Sequence, residues 1–183
     1  MVNGTEMLEL IKTRQSDRSY SNKPVEKEKL ERIIEAGRMA PSACNAQPWK
    51  FIIVDDTDLL NQLAEAASAK LLGMNSFVGQ APVQIVVVRE KANMSSRVGK
   101  TIKNKDYSLI DIGIASANIC LQARAEGLGS CIIGWFDEKM VRKILHIPAS
   151  KRVELIITIG YAAKELREKR RKPTDEISSC NKY

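Results

Sequence analysis

The chain has 183 residues, 44% of them hydrophobic and 28% charged, with a formal net charge of +7. That is ordinary for one globular domain able to bury a core without disulfide staples. No apolar run is long enough to span a bilayer, Met1-Val2-Asn3-Gly4 opens no signal-peptide pattern, and four scattered cysteines with a single histidine, His146, leave no metal-ligating cluster, so the expectation is a cytoplasmic protein with reduced thiols and no metal.

A short amphipathic helix is expected over residues 4–13, with Met7, Leu8, Leu10 and Ile11 on its apolar side. An arginine-rich segment follows. Pro24 suits the start of a second helix, in which Leu30, Ile33, Ile34 and Gly37 recur at helical spacing. A polar loop, Pro41-Ser42-Ala43-Cys44-Asn45-Ala46-Gln47-Pro48-Trp49, leads into the strand Phe51-Ile52-Ile53-Val54. Asp56 or Thr57 caps a helix through Leu60, Leu63, Ala64 and Ala67, and Val83–Val88 is the strongest strand pattern in the chain. Residues 92–105 are polar and aperiodic, which predicts a loop with the character of a lid.

Residues 107–126 predict a long helix ended by a left-handed Gly127. Apolar and small side chains lie nearly all round it, so it must be covered on most sides, in a core or at a subunit interface. Ser130–Gly134 predicts a strand, Asp137 caps a helix through Leu145 whose last turn holds His146, and Val153–Ile159 gives the last core strand. Strands alternating with helices, with few hairpin signals, predict a mixed α/β domain: a central mixed sheet flanked by helices on both faces, with residues 1–183 as one unit.

Three segments carry candidate chemistry. Arg14, Ser16 and Arg18 alternate, so in an extended segment they share one side and suit a phosphate dianion; a solvated helix end is the other reading. In the 41–49 loop, Asn45 and Gln47 offer amide donors and acceptors to a flat polar heterocycle, while Pro41 and Pro48 restrict the backbone; a well-capped turn would look the same. Residues 164–172 hold six basic and two acidic residues, and read as a solvated tail, a nucleic-acid patch or a phosphate clamp. No Gly-x-Gly-x-x-Gly, Gly-x-Ser-x-Gly or paired-acid pattern is present, so no catalytic side chain is singled out, which is consistent with a bound cofactor carrying the chemistry.

Arg14-Gln15-Ser16-Asp17-Arg18 followed by Pro41-Ser42-x-x-Asn45-x-Gln47-Pro48-Trp49 resembles the signature of the FMN-dependent nitroreductase family. Gly127-Leu128-Gly129-Ser130-Cys131-Ile132-Ile133-Gly134 and Lys169-Arg170-Arg171-Lys172-Pro173 resemble two further blocks of that family, so the likeness runs from about residue 8 to Pro173. The resemblance implies a nitroreductase-like fold and a homodimer with non-covalent FMN at its interface. Arg14, Gln15, Ser16 and Arg18, with Lys169 and Arg171, would hold the phosphate side. Pro41, Ser42, Ala43, Asn45 and Gln47 would reach the flavin of the other subunit. Ile133 and Gly134 would lie beside the ring, and contacts to its pyrimidine end would fall within residues 71–78. Many family members carry Trp or another large residue where this chain has Ile132. The implied reaction is hydride transfer from NADH or NADPH, through the flavin, to a nitroaromatic, quinone or enone in ping-pong order. The alternative is a basic nucleic-acid or anion-binding module without enzymatic activity, built on the 164–172 run.

Overall fold

Each predicted helix and strand is present in the computed structural model, which describes residues 3–68, 75–91 and 106–183. The 92–105 loop and the first part of the 71–78 segment lie outside the described residues. Helix α1 (Gly4–Thr13) starts in a capping box in which Asn3 and Glu6 satisfy each other's backbone N–H groups. Helix α2 spans Lys27–Arg38, and its cap is Glu26. Pro24 therefore precedes the helix by three residues rather than opening it.

Strand β1 (Trp49–Val54) is followed by α3 (Thr57–Ala67), capped by the Asp56 side chain, and by a 3-10 turn at Ser76–Gln80. Then come β2 (Val83–Arg89), α4 (Tyr107–Ala125), β3 (Gly129–Ile133), α5 (Glu138–Ile144), β4 (Arg152–Gly160) and a single helical turn, α6 (Thr174–Ile177). Asp137 caps α5 as expected. Gly127 has φ 76°, the left-handed stop that its place after α4 implied. His146 lies two residues past the end of α5 with φ 51°, beyond the helix rather than in its last turn.

The strands form one sheet in the order β1-β2-β4-β3, with helices on both faces as expected. Every ladder is antiparallel, and the parallel component of the expected mixed sheet is the isolated bridge between Ser16 and Ser130. Two registers explain this. Gln84 lies opposite Val54, and Gly129 lies opposite Gly160 while Ile133 lies opposite Ile156. The connections through α3 and α5 therefore bring the chain back to the end of the sheet it left, as wide hairpins with a helix inside them. A sequence without tight turn signals hides such a hairpin.

Alternation along β2 and β4 divides the core in two. Val86, Val88 and Ile156 face α3, α5 and Phe77 on one side, whereas Val83, Ile85, Val87, Ile157 and Ile159 face α2 and α4 on the other. Gly37 brings α2 close to α4, since a Cβ there would lie 2.9 Å from Ile119. The pair is also clasped outside the core, where Arg32 donates two hydrogen bonds to Glu126 at 2.7 and 2.8 Å and holds that carboxyl down at about 2.

One close approach fixes the segment after α1. The backbone N–H of Asp17 donates to Ser130 O at 2.9 Å, and the Asp17 carboxylate accepts from Ser130 N–H at 3.3 Å. Asp17 is buried, and beneath it Gly129 leaves no room for a side chain: a Cβ would lie 2.7 Å from Asp17 Oδ2. Gly129→Ala is therefore expected to destabilise the protein by about 1–3 kcal/mol through overpacking. Denaturant unfolding would measure it, and an unchanged midpoint would show that this approach is not tight.

Candidate functional site

Because α1 ends at Thr13 and Asp17 turns inward, the residues on either side of Asp17 are carried outward along an extended segment. Arg14, Gln15, Ser16 and Arg18 line a cleft of ≈ 270 Å³, and residues 167–171 close it from the other side. Lys169 and Arg171, singled out from the sequence, thus meet the N-terminal segment across more than 150 positions of chain. Gln15 is the hinge between the two: its Oε1 accepts from Arg167 N–H at 3.1 Å, and its Nε2 donates to Asp17 Oδ1 at 2.8 Å and to Glu165 O at 3.3 Å. Arg167 Nη2 donates to Ser16 O at 2.9 Å, and Lys169 Nζ donates to Ile11 O at 2.8 Å.

The cleft concentrates charge of one sign. Arg14, Arg18, Arg167, Lys169, Arg170 and Arg171 line it, against a single acid, Glu168. Burial, and then the positive charges of Arg14, Arg171 and Arg124, push the Lys169 ammonium below its ordinary pKa. An anion seated among these groups offsets that repulsion, so the donor set fits a phosphate ester.

Beside this cleft lies a larger cavity of ≈ 590 Å³. Arg14, Lys169 and Arg171 belong to both, and Ile11, Ala117, Leu121 and Ile132 give the second its apolar wall. The pair is a joined site with a cationic end and an apolar chamber. The side chain of Ile132 is the one that meets the chamber. That of Ile133 is 3% exposed and packs in the core, so Ile133 has only its main chain to offer, together with the exposed Gly134 that follows it.

The 41–47 loop stands apart, and none of its residues lines either cavity. Pro41, Asn45 and Gln47 are exposed, Ser42 and Ala43 half-buried, while Pro48 and Trp49 are buried and anchor the loop's end. Its backbone is unusual: Cys44, Asn45 and Gln47 have φ 53°, 50° and 45° without being glycine. Such conformations cost on the order of 1 kcal/mol or more each and persist where neighbours impose them. Ser42 Oγ accepts from Gln47 N–H at 3.0 Å, Gln47 Nε2 donates to Asn45 Oδ1 at 3.0 Å, and Ala43 N–H donates to Asp111 Oδ1 at 3.1 Å.

Sequence reasoning missed Arg167, Arg170, Asp17 and Asp111. Arg167, Lys169 and Arg171 repeat the alternation of Arg14, Ser16 and Arg18, which was a usable signal for Arg167. The buried roles of Asp17 and Asp111 had none. Among the described residues, no group of three or more His, Cys, Asp or Glu side chains is placed to hold a metal ion, and no helix is long and apolar enough to cross a membrane.

With this geometry in view, a sequence profile for the nitroreductase family matches residues 11–73 and 69–161. The chain belongs to the nitroreductase family. Within that family it is 33% identical over 172 residues to an oxygen-insensitive NADPH nitroreductase of Helicobacter acinonychis, covering 80% of this chain and 82% of that protein. Among solved structures it is similar to an FMN-dependent nitroreductase of Clostridium difficile R20291, with TM-score 0.78, 31% identity, and coverage of 96% of this chain and 99% of the other. A nitroreductase family protein of Streptococcus pneumoniae TIGR4 superposes with TM-score 0.81 at 28% identity, over 95% and 99% of the two chains. These likenesses agree with the fold class expected from the sequence.

The depressed Lys169 gives a direct test of the cleft. After reductive methylation with ¹³C, the Lys169 resonance is expected to titrate below the ordinary lysine range and to move upward when a phosphate monoester is added. A resonance that ignores the ester would mean that this cleft is not where the anion sits.

Proposed function

We propose that this nitroreductase-family chain is an NAD(P)H-dependent flavin oxidoreductase that holds FMN non-covalently at the interface of a homodimer. The observation that carries the reading is the joined site: a cationic cleft that fits a phosphate, opening through Arg14, Lys169 and Arg171 into an apolar chamber that fits a flat ring. When bound, FMN supplies the hydride chemistry, accepting from NADH or NADPH and passing electrons to a nitroaromatic, quinone or enone acceptor, with the two substrates alternating in ping-pong order.

The chain's own residues bind, orient and tune. Arg14, Ser16, Arg18, Lys169 and Arg171 hold the phosphate, and Gln15 keeps the two halves of the clamp in register. Arg14, Lys169 and Arg171 also border the chamber, where their positive charge would favour an anionic ring. Ile132 walls the chamber, and Ile133 and Gly134, next in sequence, would have only their main chain to offer the ring. Asn45 and Gln47 line neither cavity of their own chain, which suits service to the site of a second copy. No cysteine or histidine side chain is required. Cys120, which borders the chamber, and Cys131 are buried and burial pushes both thiols up, while the exposed Cys44 and His146 lie outside both cavities.

Dimerisation is supported by what one chain leaves bare. Helix α1 has no buried residue, and Met7, Leu8 and Ile11 are exposed, as are Leu109 and Ile110 on α4. Helix α4 is buried toward α2 and the sheet and also touches α1, yet Leu109, Ile110, Gly113 and Ala117 stay exposed, so its own chain does not cover the apolar residues all round it. Apolar surface on this scale marks an interaction site. The basic run 164–172 folds back on the cleft through Arg167 and Lys169, which weighs against a free nucleic-acid-binding tail.

The protein is expected to be yellow when purified or to take up added FMN. Arg18→Ala should weaken FMN binding roughly 10- to 100-fold, the equivalent of about 1.5–3 kcal/mol for one charged hydrogen-bond partner. Arg152→Ala, whose partner Glu138 lies outside the cleft, should change affinity far less. Equal effects in the two titrations would refute the clamp assignment. Sedimentation should give a dimer, and Ile110→Glu should shift it toward monomer; a stable wild-type monomer with FMN bound would overturn the shared site.

A further inference from the structure

Asp111 is the buried group that the proposed function leaves without a task. It lies on α4, is 3% exposed, and spends one carboxylate oxygen on the N–H of Ala43 at 3.1 Å. The other oxygen, Oδ2, is buried and has no hydrogen-bond partner among the described residues. A half-satisfied carboxylate is costly to bury, and such a group in a native fold calls for a function.

The turn it touches supplies that function. Three non-glycine residues out of four, Cys44, Asn45 and Gln47, hold left-handed backbone there, and such a turn persists where its surroundings impose it. Several of its bonds are internal. Ser42 Oγ with Gln47 N–H, Ser42 O with Asn45 N–H, and Asn45 with Gln47 would all travel with the loop if it moved. The Pro48 carbonyl, accepting from Glu90 N–H at 3.0 Å, fastens the far end to the sheet edge. The bond from Ala43 to Asp111 fastens the near end to a 19-residue helix, and a charged acceptor makes it stronger than a neutral pair.

We infer that Asp111 is a positioning residue: by anchoring Ala43 N–H it sets the left-handed turn that presents the Asn45 and Gln47 amides to the flavin. This rests on the flavin reading of the site. Asp111 reaches no reacting atom, and its influence passes through the main chain of the loop. It lies next in sequence to Ile110, on the exposed side of the same helix, so the element proposed to meet a second copy is also the one that holds the loop.

The test compares Asp111→Asn with Asp111→Ala in the full-length protein. Asparagine keeps the acceptor oxygen for Ala43 and places an amide where Oδ2 lacked a partner; alanine removes the acceptor. The first readout is hydrogen exchange at the Ala43 amide without flavin, expected to be protected in wild type and Asp111→Asn and unprotected in Asp111→Ala. The second is FMN titration, expected to be near wild type for Asn and weakened roughly ten-fold for Ala, with the sedimentation coefficient unchanged. A purely structural role predicts that both variants lose affinity in step with their melting temperatures, and that result overturns the inference. So does Asp111→Ala binding FMN as wild type does. If Asp111→Ala does not fold, Asp111→Glu replaces it: displaced by one methylene, its acceptor should leave Ala43 less protected and FMN weaker, and wild-type values for both overturn the proposal. Failure of the wild-type protein to bind FMN would instead overturn the flavin reading, so the two failures are distinct.

Discussion

The site depends on the seating of Ser16 and Asp17 against the start of β3. One backbone bond, one carboxylate bond and a glycine with no room above it hold five residues of otherwise irregular chain to the sheet edge. Tyr20 reinforces the seat from below. Its hydroxyl donates to Asp17 O at 2.9 Å and shares a 2.7 Å hydrogen bond with Thr158, and burial drives its pKa far upward, so it stays neutral. Without that seat, Arg14, Ser16 and Arg18 would be three polar side chains on a loose linker. With it, they are fixed on one side of an extended segment, and the basic tail has something to close against.

Much of this was legible in the sequence, and what was legible has a common cause. Helical spacing revealed α2 and α3 because burial imposes period on apolar residues, while α4, β2 and the strand at 129–133 showed as apolar runs bounded by turn signals. Caps revealed Asp56, Asp137 and Gly127 because unpaired helix ends demand particular side chains. The alternation of Arg14, Ser16 and Arg18 was readable because extended backbone has period two. The direction of the strands was hidden, since wide hairpins with helices inside them leave the same pattern as parallel crossovers. Long-range pairings were hidden too. Nothing near Asp111 announces Ala43, and nothing near Gly129 announces Asp17.

The two halves of the site differ in how they are built, and the difference suits the phosphate and the ring proposed for them. A phosphate needs charge, which acts over several ångströms, so arginines and lysines on exposed chain suffice once their backbone is placed. A flat ring needs shape and directed hydrogen bonds, which fail with small displacements. The chamber wall accordingly comes from α1, α4 and β3, and the amide-bearing loop is wedged into a strained turn rather than left free. The basic run at 164–172, which in sequence looks like tail, is in the structure the lid of the charged half.

The crowded cations carry a consequence for the protein's life without its ligand. Like charges held together, with Lys169 already inclined to shed its proton, repel one another, and that repulsion opposes the folded arrangement until an anion arrives. Occupancy then adds to stability by mass action, about 2.7 kcal/mol when free ligand stands at a hundred times its dissociation constant. Under the proposed function, supply of the ligand and survival of the chain would thereby be coupled. If the cleft holds the cofactor as proposed, the empty protein would open more often than the loaded one and meet proteases sooner, so scarcity of cofactor would lower the amount of protein.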